Sequence, residues 1–159
     1  MLYVVSRSFL RVSANFFSPP YHLQLNHVNP SILLIEDHKD YREAVKRFLE
    51  LQHIQAHVLE ASTGEEGVLL ARMKKPVIVV TDFGLGGING LEAARQIKKH
   101  LPKCNIIMLT MYDPKEILRK DANGMIKFFI NKADLSEQLV PAIKRILHNS
   151  NNKYQKRIH

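Results

Sequence analysis

Five residues with reactive side chains stand at the ends of four short apolar runs. Glu36 and Asp37 follow the first run, and Asp82, Thr110 and Lys132 each follow one of the other three. Three carboxylates, a hydroxyl and an ammonium are groups suited to holding Mg²⁺ and a phosphoryl group. If the runs are parallel strands of one sheet, their ends converge on the crevice where open α/β folds place ligands. The sequence therefore predicts a magnesium and phosphoryl site built from these five residues.

Strand and helix signals alternate five times from Ser31 onward, and these elements must position the site. The continuous apolar run Val77–Val80 is typical of a strand buried on both faces at the centre of a parallel sheet. Between Tyr41 and Leu49, apolar residues follow the spacing of an amphipathic helix. We therefore predict an α/β fold of three layers, doubly wound as (βα)5, with right-handed crossovers and a central five-stranded parallel sheet.

Capping residues and prolines predict the boundaries of the remaining elements. Two strands are expected at about 56–59 and 125–130, and the second helix is expected to reach about Lys74. Four signals mark helix ends: a capping box of Ser62 with Glu65 or of Thr63 with Glu66, a stop at Pro102, a short helix opened by Asp113-Pro114, and a last helix capped by Asp134-Leu135-Ser136-Glu137. The run Asn149-Ser150-Asn151-Asn152 is expected to mark the end of the fold.

Length and charge divide the chain into three parts. We expect a loose N-terminal extension over 1–30, one domain over 31–148 and a basic tail over 149–159. The net charge is +8, but most of the surplus lies at the two ends, and residues 31–150 carry only three more basic than acidic side chains. We therefore expect no specific nucleic-acid binding.

Cysteine content and hydropathy indicate the compartment. The chain has one cysteine, Cys104, so no disulfide forms within it, which fits a reducing cytosol. Its apolar stretches fall short of the roughly 18 residues that span a bilayer. Residues 1–30 lack the basic start and uninterrupted apolar core of a secretory signal. We expect a cytoplasmic protein without a membrane partner.

The acidic residues need a cation. Carboxylates about 4 Å apart repel by roughly 4 kcal/mol for each pair at an effective dielectric constant near 20. A divalent cation relieves that repulsion, and the Lys132 ammonium offsets part of it when the metal is absent. Asp82 could also act as a nucleophile, because carboxylates form aspartyl-phosphates. The alternative that Glu36-Asp37 only caps the next helix leaves Asp82 and Lys132 unexplained.

At these positions the chain resembles a known family, the receiver domains of two-component response regulators. The resemblance covers residues 31–148 and is carried by the segments ILLIEDHKDYREAV, VIVVTDFGLGGINGLEAA, IIMLTMYD and FFINKADL, of which the middle two are most similar to NarL-like receivers. It implies the CheY-like, flavodoxin-like fold. It further implies these roles: Asp82 as phosphoacceptor, Glu36 and Asp37 as the acidic pair, Thr110 and Lys132 as phosphate sensors, the Gly84 carbonyl as a metal ligand, and Phe129 as the aromatic that turns inward on activation.

Three features depart from the family pattern. Gly86 stands where the family usually has proline, four residues after Asp82, and makes that loop more flexible. The stretch before the fifth strand reads Ala122-Asn123-Gly124-Met125 instead of ending in Gly-Ala, which bears on the shape of the fourth helix and of the switching face. The acidic pair is Glu-Asp instead of Asp-Asp, which keeps the charge.

The resemblance implies a switch that takes a phosphoryl group onto Asp82 from a sensor histidine kinase or a phosphotransfer protein, with Mg²⁺ as cofactor. Output would pass through a downstream protein partner or a homodimer, because the tail 149–159 is too short for a helix-turn-helix. The switch would not be a turnover enzyme, and self-dephosphorylation is expected to be slow, because Gly84 and Tyr112 offer no carboxylate or amide to position a water. Two alternatives stay open: an Mg²⁺-dependent phosphohydrolase, and an interaction module of the same fold that takes no phosphate.

Overall fold

The computed structural model describes residues 29–121 and 124–155, and within them strands and helices alternate as predicted. The strands are β1 Ser31–Ile35, β2 His57–Ala61, β3 Ile78–Asp82, β4 Asn105–Thr110 and β5 Ile126–Asn131. The helices are α1 Lys39–Leu51, α2 Gly64–Lys74, α3 Gly90–His100, α4 Pro114–Leu118 and α5 Leu135–Gln155, with a short 3-10 helix at Lys132–Asp134. The expected extension over 1–30 lies, apart from its last two residues, outside the described residues.

All five strands are parallel and form one sheet in the order β2-β1-β3-β4-β5. The predicted doubly wound α/β fold is confirmed. In this order the first and third strands are neighbours, so the chain crosses from one side of β1 to the other after β2. Such a change of direction is where open α/β folds form a crevice at the carboxyl ends of their strands.

Two apolar layers, one on each face of the sheet, form the core. One face packs against α1 and α5 through residues such as Val45 and Ile143, and the other packs against α2 and α3 through residues such as Ala71 and Ile97. Every residue of β3 is buried, as the continuous apolar run predicts. The buried faces hold the carboxyl ends of β1, β3 and β4 in fixed register beneath the site.

The second helix uses Thr63 and Glu66, one of the two capping alternatives. The Thr63 hydroxyl accepts the Glu66 N–H at 3.1 Å, and the Glu66 carboxylate reaches back to the Ser62 N–H at 2.6 Å. Glu65 instead accepts the N–H of Ile88 at 3.0 Å, across the loop that follows β3. The Glu65 carboxylate therefore connects α2 to the loop beside Asp82.

The last helix begins where it was predicted, but a 3-10 helix leads into it and it ends later. Its chain enters through the 3-10 helix, which is capped by the Asn131 side chain accepting the Ala133 N–H at 2.9 Å. The predicted start is confirmed, since α5 begins at Leu135, directly after Asp134, although Asp134 itself lies in the 3-10 helix. The helix also passes through Asn149–Asn152 and ends at Gln155, so polar composition alone did not terminate it. Residues 156–159 of the expected tail lie outside the description.

A buried carboxylate holds the start of β5. Asp121 accepts the N–H of Met125 at 3.0 Å and the N–H of Ile126 at 2.9 Å, and only 5% of Asp121 is exposed. These two bonds fix the backbone that leads into β5. Across the described ranges, no helix has the length and apolarity that crossing a bilayer requires.

Candidate phosphoryl and metal site

Strand register brings the carboxylates of Glu36 and Asp82 together. Ile35 of β1 pairs with Thr81 of β3, so Glu36 and Asp82 follow at neighbouring positions. The Lys132 Nζ donates to the Glu36 Oε2 at 2.8 Å and to the Asp82 Oδ2 at 2.9 Å. All three side chains are at least nine-tenths buried, and Glu36 is completely so. The structure thus joins three of the five predicted residues in one buried ion-pair cluster.

Lys132 is held as a cation. Burial acts to lower its pKa, but the hydrogen bonds and charges of Glu36 and Asp82 outweigh burial and raise the pKa above the usual range of lysine. The ammonium also lies over the ring of Tyr41, with Nζ 4.4 Å from the ring centre. The cluster keeps one positive charge between two carboxylates, which limits the repulsion that the sequence predicted.

Asp37 lies at the outer side of the cluster. Its Oδ2 accepts the Gly86 N–H at 3.3 Å, and its Oδ1 lies 3.0 Å from the Nδ1 of His38. Partial burial acts to raise the pKa of Asp37, but these hydrogen bonds together hold it below the usual value. The Gly86 N–H is one that a proline at that position could not offer. The departure from the family pattern therefore supplies a contact to the acidic pair.

The donor set fits a divalent cation. Ligand atoms of Glu36, Asp37 and His38 all lie within 4.8 Å of one another. Asp82 is not part of that group, and its Oδ2 is engaged by Lys132. Gly84 lies beside Asp82, where an added Cβ would be 3.8 Å from the Asp82 Oδ2. Hard carboxylate oxygens with room for water suit Mg²⁺.

Thr110 and Phe129 lie on the two strands beyond β3. Thr110 is fully buried at the end of β4, opposite Asn131, the residue before Lys132. Its hydroxyl accepts the N–H of Tyr112 at 2.9 Å. Phe129 pairs with Met108 and is half-buried against the core on the α2 and α3 face of the sheet. Among the described residues, no hydrogen bond or ion pair joins the side chain of either residue to Asp82 or Lys132.

Sequence reasoning missed three residues of α1 and its approach. Arg42 donates to the Glu36 carbonyl at 2.7 Å and to the Asp37 carbonyl at 3.5 Å, so its guanidinium holds the backbone of the acidic pair. Tyr41 was assigned to the apolar face of α1, and His38 was not assigned a role. The signal was present in their spacing, since the first turn of a helix that follows a strand end faces that end.

The loop after Asp82 is fixed to the site at its far end. The N–H of Gly90 donates to the Phe83 carbonyl at 3.1 Å, and a Cβ on Gly90 would come 1.9 Å from the Asp82 carbonyl oxygen. Only glycine permits that approach. The start of α3 is therefore packed directly against the backbone of Asp82.

An aromatic contact lies at the mouth of the site. The rings of Phe83 and Tyr112 meet edge to face, with their centres 6.0 Å apart, and the Lys120 ammonium lies 5.5 Å from the Phe83 ring centre. Phe83 follows Asp82, Tyr112 follows Thr110 by two residues, and Lys120 follows α4. This contact joins the segments that follow β3, β4 and α4.

A parallel five-stranded sheet with a buried carboxylate–lysine cluster at its carboxyl edge defines the receiver class of signalling domains. The model of the response regulator receiver domain family matches residues 32–144, and the chain belongs to that family. The chain is a receiver domain of a two-component response regulator.

Individual receiver proteins are similar to this chain over most of its length. The response regulator UvrY of Escherichia coli strain K12 is 32% identical over 121 residues, which are 73% of this chain and 53% of that protein. A crystal structure of a LuxR-family two-component response regulator from Aurantimonas matches with 28% identity and a TM-score of 0.69, over 81% of this chain and 98% of that one. A CheY-like receiver from Methanospirillum hungatei shares the fold at 23% identity and a TM-score of 0.71, over 78% and 98%. The chain spans about half the length of the curated relatives it matches.

Proposed function

We propose that Asp82 accepts a phosphoryl group and that the domain works as a phosphorylation switch. The observation that carries this proposal is the Lys132 ammonium bridging Asp82 and Glu36 in a buried cluster. Receiver domains are generally signalling proteins, and the role of Asp82 is inferred from its position in this cluster. The proposal extends to the partner, which would be a sensor histidine kinase or a phosphotransfer protein.

The transfer step follows from the chemistry of the groups. A carboxylate oxygen of Asp82 would attack the phosphorus of a phosphohistidine, the P–N bond would break, and the imidazole would leave with the electron pair of that bond. Lys132 would turn an N–H toward a phosphoryl oxygen and neutralise part of its charge. The Thr110 hydroxyl would donate a second hydrogen bond once it reorients. The product is an aspartyl-phosphate on Asp82.

Mg²⁺ belongs to the proposal as the cofactor. Glu36, Asp37, Asp82 and the Gly84 carbonyl would hold it, and Arg42 would keep the backbone of the acidic pair in place. When bound, the ion supplies positive charge to the phosphoryl oxygens. Gly86 and His38, which contact the Asp37 carboxylate, would help to orient it toward the ion.

Output and location are parts of the same proposal. Phosphorylation would replace the single negative charge of the Asp82 carboxylate with a phosphoryl group that carries nearly two, and would bring three acceptor oxygens to the site. The segment that follows Thr110 would repack, Phe129 would turn inward, and the changed face would bind a downstream protein partner or a second copy of the chain. We place the switch in the cytoplasm, where kinases draw on ATP, and expect no specific binding to nucleic acid by residues 31–148.

Beryllofluoride with Mg²⁺ tests the proposal, because it mimics an acyl phosphate without a kinase. We expect amide NMR shifts around Asp82, Thr110 and Lys132 in the wild type and none in Asp82→Asn. Asn105→Asp is the control. It adds a carboxylate at the opposite end of β4, away from the site, and should show the same shifts as the wild type. Equal shifts in Asp82→Asn would contradict the proposal, and turnover of a phosphate monoester would favour a phosphohydrolase instead.

A further inference from the structure

The two ends of the Tyr41 side chain are satisfied differently. Its ring lies under the Lys132 ammonium at 4.4 Å from ring centre to Nζ. Its hydroxyl is buried and, among the described residues, has no hydrogen-bond partner. A buried hydroxyl without a partner costs free energy that phenylalanine at the same position would not. In this state of the site the ring therefore contacts the Lys132 ammonium, whereas the hydroxyl makes no hydrogen bond among the described residues.

The Lys132 ammonium has three N–H groups, and the Tyr41 ring lies on the side that the two carboxylates leave open. Two of them are directed to the carboxylates of Glu36 and Asp82, and the aromatic face of Tyr41 receives positive charge on the remaining side. A ring face attracts an ammonium without fixing the direction of a hydrogen bond. Lys132 is thus held in place but stays able to turn an N–H toward a new acceptor.

A phosphoryl group on Asp82 would change which groups lack partners. Lys132 would turn toward the phosphoryl oxygens, and the fully buried carboxylate of Glu36 would lose its N–H donor. The Tyr41 hydroxyl is the one buried side-chain donor, within the described ranges, that has no partner to give up. Burial, more than the nearby charges, raises the pKa of Tyr41, so its hydroxyl keeps the proton it would donate.

We propose that Tyr41 is a positioning residue that acts on Lys132 in both states of the switch. In the resting site its ring holds the ammonium, and in the loaded site its hydroxyl donates to the Glu36 carboxylate that Lys132 releases. This inference rests on the proposed function and deepens it. It makes the balance between the two states depend on one hydroxyl group.

The test compares Tyr41→Phe and Tyr41→Leu with the wild type, in the full chain with saturating Mg²⁺. Two quantities are measured: the dissociation constant of beryllofluoride, and the melting temperature with and without it. For Tyr41→Phe we expect the resting melting temperature to rise by roughly 3 °C and the affinity for beryllofluoride to fall about tenfold. Tyr41→Leu should weaken binding further, because it also removes the ring. Met73→Leu, at an exposed position near the end of α2 and away from the site, is the control and should change neither quantity.

The outcomes separate this inference from the proposed function. Wild-type affinity in Tyr41→Phe would overturn the role of the hydroxyl while leaving the switch intact. A lower resting melting temperature in Tyr41→Phe would also overturn it, because the hydroxyl would then already have a partner. If the wild type shows no Asp82-dependent binding of beryllofluoride, both the proposed function and this inference fall.

Discussion

Two regions at the same edge of the sheet are built in different ways. The central site, defined as Glu36, Asp82 and Lys132, is buried and joined across three strand ends by short charged hydrogen bonds. The readout segment, defined as residues 111–121, contains a helix of five residues and exposes Met111, Tyr112 and Leu118 by more than half. Its anchors in the core are Ile117 and Asp121.

If the domain switches as proposed, this difference locates the response in the readout segment. Charge pairing between strands fixes the geometry of the central site in the state that the structure describes. The readout segment buries little apolar surface, and segments of that kind open at low free-energy cost. The Thr110 hydroxyl accepts the Tyr112 N–H. On the proposed function, a change at Thr110 would therefore repack the readout segment without disturbing the sheet.

Removing the central cation should have the largest effect. Lys132→Met leaves two buried carboxylates without their donor, and breaking a buried pair costs about 3 kcal/mol in the free energy of unfolding. Denaturant unfolding without metal measures this loss, and added Mg²⁺ should restore part of it. Lys103→Met, at an exposed position, should stay within about 0.5 kcal/mol of the wild type. An equal loss in both variants would contradict the account of the central site.

Removing the anchor of the readout segment should have the next largest effect. Asp121→Ala leaves the N–H groups of Met125 and Ile126 without acceptors, at a cost of about 2 kcal/mol. Hydrogen exchange at these two amides should quicken, while amides of β1 and β3 change only with global stability. Asp113→Ala, which removes an exposed cap of α4, is the matched control and should leave both amides unchanged. If the Met125 and Ile126 amides kept their protection in Asp121→Ala, the role of Asp121 as an anchor of the readout segment would be contradicted.

The lifetime of the phosphoryl group tests the boundary between the regions. Gly84 offers no side chain to position water, and a Cβ there would meet only an ordinary contact with Asp82. Gly84→Asn should therefore quicken loss of the phosphoryl group about tenfold, equivalent to roughly 1.4 kcal/mol in the barrier. Gly84→Ala, which adds no amide, is the control. Decay that is unchanged or slower in Gly84→Asn would count against the expected slow self-dephosphorylation.

The smallest expected effect concerns the family position occupied by Gly86. Gly86→Pro removes the N–H that Asp37 accepts, so the pKa of Asp37 should rise toward its ordinary value, while Gly86→Ala keeps the N–H and should not shift it. A lowered pKa stabilises the fold above the ordinary pKa of aspartate and loses that contribution as the pH falls through the lowered value. The proline variant should thus lose stability at a higher pH on acidification. NMR titration of Asp37 measures the shift, and identical titrations in both variants would contradict it.

The sequence predicted the central site better than it predicted the readout segment. Apolar runs ending in Asp82 and Lys132 predict strand ends directly, because a parallel sheet places such ends at one edge. Asp121 carries no such signal, since a lone acid in a polar stretch looks solvated until the structure shows two N–H groups behind it. Tyr41 fits the helical apolar pattern, so its ring beneath Lys132 could not be told from core packing. The end of α5 was missed because Asn149–Asn152 continue the helix despite their low helix propensity.

The most direct test of the central claim is intact-mass spectrometry after incubation with acetyl phosphate and Mg²⁺. The account predicts that the wild type gains the mass of one phosphoryl group and that the gain requires Mg²⁺. Asp82→Asn should gain none, and Asp113→Asn, an exposed acid outside the site, should gain as much as the wild type. A phosphoryl group that still attaches to Asp82→Asn, or that never attaches to the wild type, would contradict the account.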